Sequence, residues 1–310
     1  AKDGIRDSDF FGLRSRPFIL GISGDSGSGK DTLADAIEGL FGSHSVASIS
    51  GDDFHLWDRD QPLWQTTTHL NPRANDLAAM TSSVVDLSES RSISLNRYDH
   101  SIGKFEKASS LRHNDFVIVS GLLVFYVPRL RERCDARIFL DMDEALRRRL
   151  KMERDVVERG HSPESVDMAL EDRAEDTERF IKPQIEQADV VFRIEPVRAA
   201  QLSDGTGIED VRLQIRISLR RSMYHEELIR LLISVCGVDV EHDLEESTSS
   251  LELLVGSEIS AEDVQLVAQR LVPQSEELID VEPSWQSGVT GVMQLVVLAQ
   301  TAEILRERTW

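Results

Sequence analysis

The run from Gly21 to Thr32, Gly-Ile-Ser-Gly-Asp-Ser-Gly-Ser-Gly-Lys-Asp-Thr, has the residue types and spacing of a phosphate-binding loop. From Gly24 to Gly29 and Lys30 the chain can curl so that successive backbone N–H groups point inward at phosphate oxygens. A helix starting just beyond adds the partial positive charge of its N-terminus, and Lys30 neutralises the outer phosphates. Gly24, Asp25, Ser26, Gly27, Ser28, Gly29, Lys30, Asp31 and Thr32 are thus expected to hold a nucleoside triphosphate, with ATP the expected ligand. A glycine-rich linker is the bland alternative, and the flanks argue against it. Apolar Phe18–Ile22 precedes the loop, while Leu33, Ala34, Ile37, Leu40 and Phe41 follow at helical spacing.

One position departs from the usual pattern. The hydroxyl residue expected directly after the lysine, normally a magnesium ligand, is replaced by Asp31, and the hydroxyl comes one place later at Thr32. Thr32 can take the role, or the Asp31 carboxylate can meet the metal itself, since magnesium favours carboxylate and water oxygens. Asp31 equally suits a first helical turn, where negative charge complements the dipole.

A second cluster is Gly51-Asp52-Asp53-Phe54-His55-Leu56-Trp57-Asp58-Arg59. Transfer of a phosphoryl group to an alcohol needs a base for the alcohol proton, an acceptor held in line, and positive charge around the migrating group. Asp52 or Asp53 can be that base, and His55 and Arg59 can hold an anionic acceptor. The plain alternative is a turn with capping aspartates. Asn96–Gly103, with Tyr98 and His100, reads as a loop able to line an acceptor pocket. Lys151 and Arg154 stand at i, i+3 on one helix face with Arg159 near its end. Such a cationic row can clamp phosphates or simply cap a helix C-terminus.

The elements that must position these groups alternate along the chain. Phe18–Ile22, Val46–Ser50, Phe116–Ser120, Ala136–Leu140 and Val190–Ile194 are short and rich in β-branched or aromatic residues, and three are nearly continuous in apolar character. Helical stretches lie between them at Thr32–Phe41, Asp76–Ser90, Asp143–Arg159 and Pro163–Gln187. The pattern predicts an α/β fold with a mostly parallel sheet flanked by helices, the ligand site lying at the carboxyl ends of the strands. After Pro196 the character changes to α+β: an alternating strand at Val211–Leu219, a helix at His225–Val235, a strand at Leu251–Val255, and helices at Ala261–Leu271 and about Val289–Arg306. The expected organisation is an N-terminal extension (1–17), a kinase-like core (18–196) and an acidic C-terminal α+β portion (197–310).

Composition sets outer limits. The 310 residues are 40% hydrophobic and 29% charged, as in an ordinary soluble globular protein. The net charge of −20 argues against non-specific nucleic-acid binding. It is unevenly spread: Glu241–Glu282 holds twelve acidic residues against one basic residue, Arg270, whereas Arg147–Arg149, Lys151, Arg154 and Arg159 cluster earlier. No apolar run approaches the roughly 18 residues of a bilayer span, and the polar start has no secretory-leader pattern. Cys134 and Cys236 are too few for a disulfide framework and read as reduced core thiols, so a cytoplasmic protein with no membrane partner is expected.

Taken together, several segments resemble the phosphoribulokinase/uridine kinase family. They are the loop Gly24–Lys30, Gly51-Asp52-x-Phe54-His55-x-x-x-Arg59, Asn71-Pro72-x-Ala74-Asn75-Asp76, Tyr98-x-His100-x-x-Gly103, Arg154-Asp155-x-x-Glu158-Arg159-Gly160-His161-Ser162, Phe180-Ile181-x-Pro183-Gln184 and Ala188-Asp189-Val190-Val191. Order and spacing match across residues 18 to 194. His55 with Arg59, Tyr98-x-His100 with Gly103, and the tail from Glu277 lean toward the phosphoribulokinase branch. The resemblance implies an ATP-dependent kinase with Asp52 as the base and Lys30 at the phosphates. His55, Arg59, Tyr98, His100, Lys151, Arg154 and Arg159 would face a sugar or sugar phosphate, ribulose 5-phosphate first. It also implies a mobile lid over His161–Lys182 with Arg173 reaching the nucleotide, Mg²⁺ held among Asp31, Thr32 and Asp52, and a homo-oligomer. The redox-sensitive cysteine that some photosynthetic members carry in the phosphate loop is absent. The family's glutamate at the end of the third strand has become Ser120, and Asp31 is positioned to restore the lost charge. A uridine-type nucleoside kinase, with Phe54, Trp57 or Trp64 stacking on a base, is the second reading. A nucleotide-binding regulatory protein silenced by the Ser120 change is the third.

Overall fold

The computed structural model describes residues 16–309 apart from 59–60, 66, 100–102, 107–108, 113, 159–161, 204, 220–223, 246–249, 276–277 and 280. Its centre is an eight-stranded sheet in the order β11-β12-β10-β9-β8-β1-β7-β2. The strands are β1 (Phe18–Gly24), β2 (Val46–Ser50), β7 (Phe116–Gly121), β8 (Ala136–Met142), β9 (Val190–Pro196), β10 (Leu213–Leu219), β11 (Val240–Glu245) and β12 (Ser250–Gly256). Two small hairpins pair β3 (Ile93–Leu95) with β6 (Ser109–Leu111) and β4 (Tyr98–Asp99) with β5 (Lys104–Phe105). Five strands, β2 through β9 in sheet order, run parallel, and β10, β12 and β11 add on antiparallel.

The strand sequences account for this layering. Every residue of β1 and β7 is buried, as strands covered on both faces must be. Phe18, Leu20 and Ile22 face one apolar cluster while Ile19 faces the other. The first cluster takes in helices α1 (Lys30–Phe41), α4 (Glu144–Glu153), α6 (His225–Leu231), α7 (Ala261–Leu271) and α8 (Gly288–Thr309). The second takes in α2 (Leu77–Ser88) and α3 (Pro128–Arg131), and helix α5 (Pro163–Asp176) is followed by a chain that ends in the same layer at Ile181. Side-chain caps start the helices where short polar residues stand: Asp76 accepts from the Ala79 N–H, Asp143 from Leu146, Ser162 from Ser165 and Ser260 from Asp263.

Two features differ from what the chain alone suggests. Strand β11 lies inside the acidic stretch and forms the sheet edge, where charged residues discourage further pairing. Helix α8 does contain a 21-residue stretch, Gly288–Arg308, long and apolar enough to cross a membrane, with mean hydropathy 1.4. In the fold 72% of that window is buried and it packs as a core helix. Gln294, Gln300 and Thr301 interrupt its apolar run in sequence, yet all three are themselves buried. Both cysteines are free thiols; burial pushes Cys134 up to about 12 and Cys236 up to about 11.

Candidate active site

β1 ends at Gly24 and α1 begins at Lys30, so the glycine-rich loop is the turn between them. A Cβ on Gly24 would stand 2.2 Å from the Leu140 carbonyl oxygen, and Gly29 adopts a left-handed φ of +93°. Both positions exclude larger residues. The Lys30 ammonium donates to the Asp25 carbonyl at 2.7 Å. Burial lowers the Lys30 pKa, and the nearby charges of Asp52, then Asp31, then Asp25 oppose that shift. The Asp25 carboxylate accepts from the Ser26 N–H (2.6 Å) and from Thr177 Oγ1 (3.3 Å), and pairs with Arg147 at 2.9 Å. Arg147, buried on α4, also donates to the Ser26 carbonyl at 3.1 Å and bonds Glu144. It clamps the loop from a position that sequence reading treated only as part of a basic cluster.

The two adjacent aspartates after β2 have opposite surroundings. Asp53 has 3% of its side chain exposed and accepts from Arg97 Nη1 (2.9 Å) and the Tyr98 N–H (2.8 Å). Burial raises its pKa, opposed by those two partners, and its geometry is that of a structural anchor. Asp52 is 26% exposed and lies 3.3 Å from His55 Nε2. The other ring nitrogen of His55, Nδ1, meets Asn75 Oδ1 at 2.8 Å. The Asn75 amide nitrogen donates to the carbonyls of His69 and Asn71, both at 2.9 Å, so its oxygen must face the histidine and Nδ1 is the donor. Tyr98 and His69 press their rings edge-on against His55 at 5.2 and 5.4 Å. Burial, with Arg173 and His55 adding to it, pushes His69 well below the ordinary histidine range.

The cationic residues converge on two cavities. One, of about 500 Å³, runs from the loop and the first turn of α1 to Lys151 and Arg154. The other, of about 260 Å³, is lined by Asp25, Arg147, Lys151, Arg173 and Thr177. Lys151 belongs to both. It is 5% exposed, and its ammonium has no hydrogen-bond partner among the described residues. Burial, then Arg173 and the other arginines, pushes its pKa down to about 7. Arg154 bonds Asp155 at 2.9 Å. Arg59, His100 and Arg159 lie outside the described residues, as does His161 at the start of the expected lid. The rest of that segment lies across the site: Asp176 accepts from Thr68 (2.7 Å) and Asn71 (3.3 Å), while Thr177 donates to Asp25.

Asp31 and Thr32 are exposed and line the larger cavity, and Ser120 is buried at the end of β7, in register with Ser50 on β2 and Ile22 on β1. No group of three acidic, histidine or cysteine side chains that could hold a metal occurs among the described residues. That suits magnesium carried with a nucleotide, which takes one or two carboxylates and completes its shell with phosphate and water. Asp31 and Asp52 both carry the carboxylate oxygens such a magnesium ion takes, and both charges act on Lys30. Sequence reading gave no role to Gln184 of the Phe180–Gln184 motif, which is buried and bonds Ser23, Leu122, Phe125 and Phe180 beneath the loop.

Comparison with known proteins gives a consistent result. The profile of the phosphoribulokinase/uridine kinase family matches residues 19–201. The phosphoribulokinase of Synechocystis sp. is 34% identical over 183 residues, covering 59% of this chain and 55% of that protein. The chloroplastic phosphoribulokinase of Spinacia oleracea is 30% identical, covering 64% and 54%. A uridine kinase of Clostridium perfringens is 36% identical over 157 residues, covering 49% of this chain and 74% of that protein. The chain spans about half the length of the curated phosphoribulokinases it matches. Among solved structures, the phosphoribulokinase from Rhodobacter spheroides shares the fold with a TM-score of 0.64 at 18% identity, covering 95% of this chain and 99% of that one.

Proposed function

The chain belongs to the phosphoribulokinase/uridine kinase family, and from that premise we infer that it is an ATP-dependent kinase acting on a hydroxyl of a sugar or sugar phosphate. Ribulose 5-phosphate is the leading acceptor. The observation that carries the reading is the division of labour between Asp52 and Asp53. Asp53 is consumed by Arg97 and Tyr98, whereas Asp52 lies beside Lys30 and is steadied by a histidine whose other nitrogen is fixed by Asn75.

In this mechanism the loop N–H groups and Lys30 hold the outer phosphates in line with the acceptor. The Asp52 carboxylate accepts the acceptor hydroxyl's proton as that oxygen forms its bond to the γ-phosphorus. The bond from phosphorus to the bridging oxygen breaks, and its electron pair leaves with ADP. Mg²⁺, when bound with ATP, would supply charge neutralisation at the phosphates, and Asp31, Thr32 and Asp52 would be the residues to hold it. Lys151 and Arg173, one in both cavities and one in the smaller, meet the anionic groups. The same reading takes residues 18–196 as the kinase core, 161–182 as its lid and 197–310 as a C-terminal portion, in a cytoplasmic homo-oligomer.

A uridine-type kinase is the second reading, favoured by the length of the Clostridium relative that is matched. Phe54 is buried in the core and offers no open face to a base, Trp57 is half-buried, and the Trp64 side chain lies outside the described residues. The test is ADP release from Mg·ATP with ribulose 5-phosphate, uridine, and a panel of pentoses and pentose phosphates. Turnover with one acceptor, abolished by Asp52→Asn, names the branch. ATP binding without turnover on any acceptor would sink the kinase reading, unless Ser120→Glu restores activity.

A further inference from the structure

We infer that the C-terminal helix α8 forms one wall of the subsite for the nucleoside base, with Thr290 and Met293 as specificity-determining residues; this rests on the nucleotide-binding reading of the phosphate loop. The larger cavity is walled at one place by Gly27–Thr32, where the phosphates belong. Lys151, Glu153 and Arg154 line a charged part of the remaining wall, and the rest is apolar: Met142 at the end of β8, Leu150 on α4, Ile194 on β9 and Ile208 in the turn after it, closed by Thr290 and Met293. A cavity of about 500 Å³ with phosphate donors at one place and an apolar patch at another suits a nucleotide whose flat base packs on that patch.

Thr290 and Met293 are one helical turn apart, at i and i+3, so both project from one face of α8. Met293 is 2% exposed, and the polarizable thioether of methionine packs well against an aromatic face. The Thr290 hydroxyl is the polar group on that side of the cavity and can bond a ring nitrogen or exocyclic group. Both residues lie far beyond residue 201, where the family match ends.

The helix is fixed to the phosphate loop rather than loosely apposed to it. Gln294, fully buried, donates to the Ala36 carbonyl on α1 (2.8 Å) and the Ser284 carbonyl (2.9 Å), and accepts from the Gln286 N–H (2.8 Å). α1 is the helix that begins at Lys30. Gly291 permits the close seat: a Cβ there would stand 2.2 Å from the Gln286 oxygen and 2.7 Å from Val264 on α7. A rigid path therefore runs from the loop through α1 and Gln294 to the wall residues.

The experiment is calorimetric binding, without acceptor, of Mg·ATP and of inorganic tripolyphosphate, which carries no base, to the full chain. Wild type should bind ATP at least tenfold tighter than tripolyphosphate. Thr290→Phe, at a half-buried position on the cavity wall, should remove most of that difference and leave tripolyphosphate binding unchanged. Met293→Ala should narrow it and weaken discrimination between ATP and GTP, with the unliganded melting curve checking its fold. Lys30→Met should lose both ligands. Wild-type ATP affinity and base selectivity in both α8 variants would overturn the inference and leave the phosphate-loop reading standing. Equal wild-type affinity for ATP and tripolyphosphate would overturn it also. Wild type binding neither ligand would overturn the nucleotide reading itself.

Discussion

The parallel and antiparallel halves of the sheet share one apolar layer but differ in what their strand ends collect. In the parallel half, β1, β2, β7 and β8 all finish at the same edge, where the phosphate loop, the Asp52 turn, Ser120 and the start of α4 gather. In the antiparallel half, successive strands finish at opposite edges, so no such gathering is possible. Its polar side chains pair between neighbouring strands instead: Arg216 forms an ion pair with Glu195, and Ser218 donates a hydrogen bond to Glu252. A parallel arrangement concentrates loops and helix N-termini at one place. The antiparallel strands spend their polar residues on covering a surface.

That contrast can be broken in order of effect. Asp52→Asn should lower turnover about 10²- to 10⁴-fold, the usual range for a general base, with little change in melting temperature. A variant with turnover near wild type would remove Asp52 from the chemistry. In the antiparallel half, Leu253→Ala, at a fully buried position, should cost about 2–5 kcal/mol in urea unfolding. Its KM values measured on folded protein should not move; a large KM change would show that the two halves are not separable.

A subtler distinction concerns Lys151, whose pKa sits at about 7. As pH rises through 7 the ammonium becomes neutral and its attraction for an anionic acceptor is lost, so KM should climb, approaching about tenfold per pH unit. Lys151→Arg should flatten the profile. The effect on stability has the opposite sign. Between about 7 and 10.5 the unfolded chain holds the proton that the folded one has released, so folding becomes more favourable with rising pH. A KM independent of pH across this window would place Lys151 away from the acceptor. Asp31→Ser is expected to have the smallest effect, raising the magnesium concentration needed for half-maximal turnover roughly fivefold, as loss of about 1 kcal/mol of exposed charge attraction gives. An unchanged magnesium titration would end the idea that Asp31 compensates for Ser120.

Much of this edge was legible in the sequence because its signals are local. A strand, a glycine loop and a helix start occupy consecutive residues, and β1, β2, β7, β8 and β9 begin where their apolar runs predict. Other parts were not. The choice between Asp52 and Asp53 depends on Arg97 and Tyr98, which reach Asp53 from a separate hairpin. Arg147 looked like one of several adjacent arginines, and only folding brings it to Ser26 and Asp25. Gln184 stands in a recognisable motif but without a role until Ser23, Leu122 and Phe125, all distant in sequence, surround it beside nearby Phe180. β11 escaped notice because an edge strand needs little apolar patterning, and its Glu241, Asp243 and Glu245 look like a loop.

The position of β1 also bears on how the chain is made. Its neighbours in the sheet are β7 and β8, so the strand that leads into the phosphate loop waits for partners on the order of 100 residues later. At roughly 5–20 residues per second of synthesis, that delay is about 5–20 s. During it the apolar Phe18–Gly24 segment has no native partner. The edge that carries the glycine-rich loop is therefore expected to assemble late on the ribosome, after the segment carrying β8 and Arg147 has emerged.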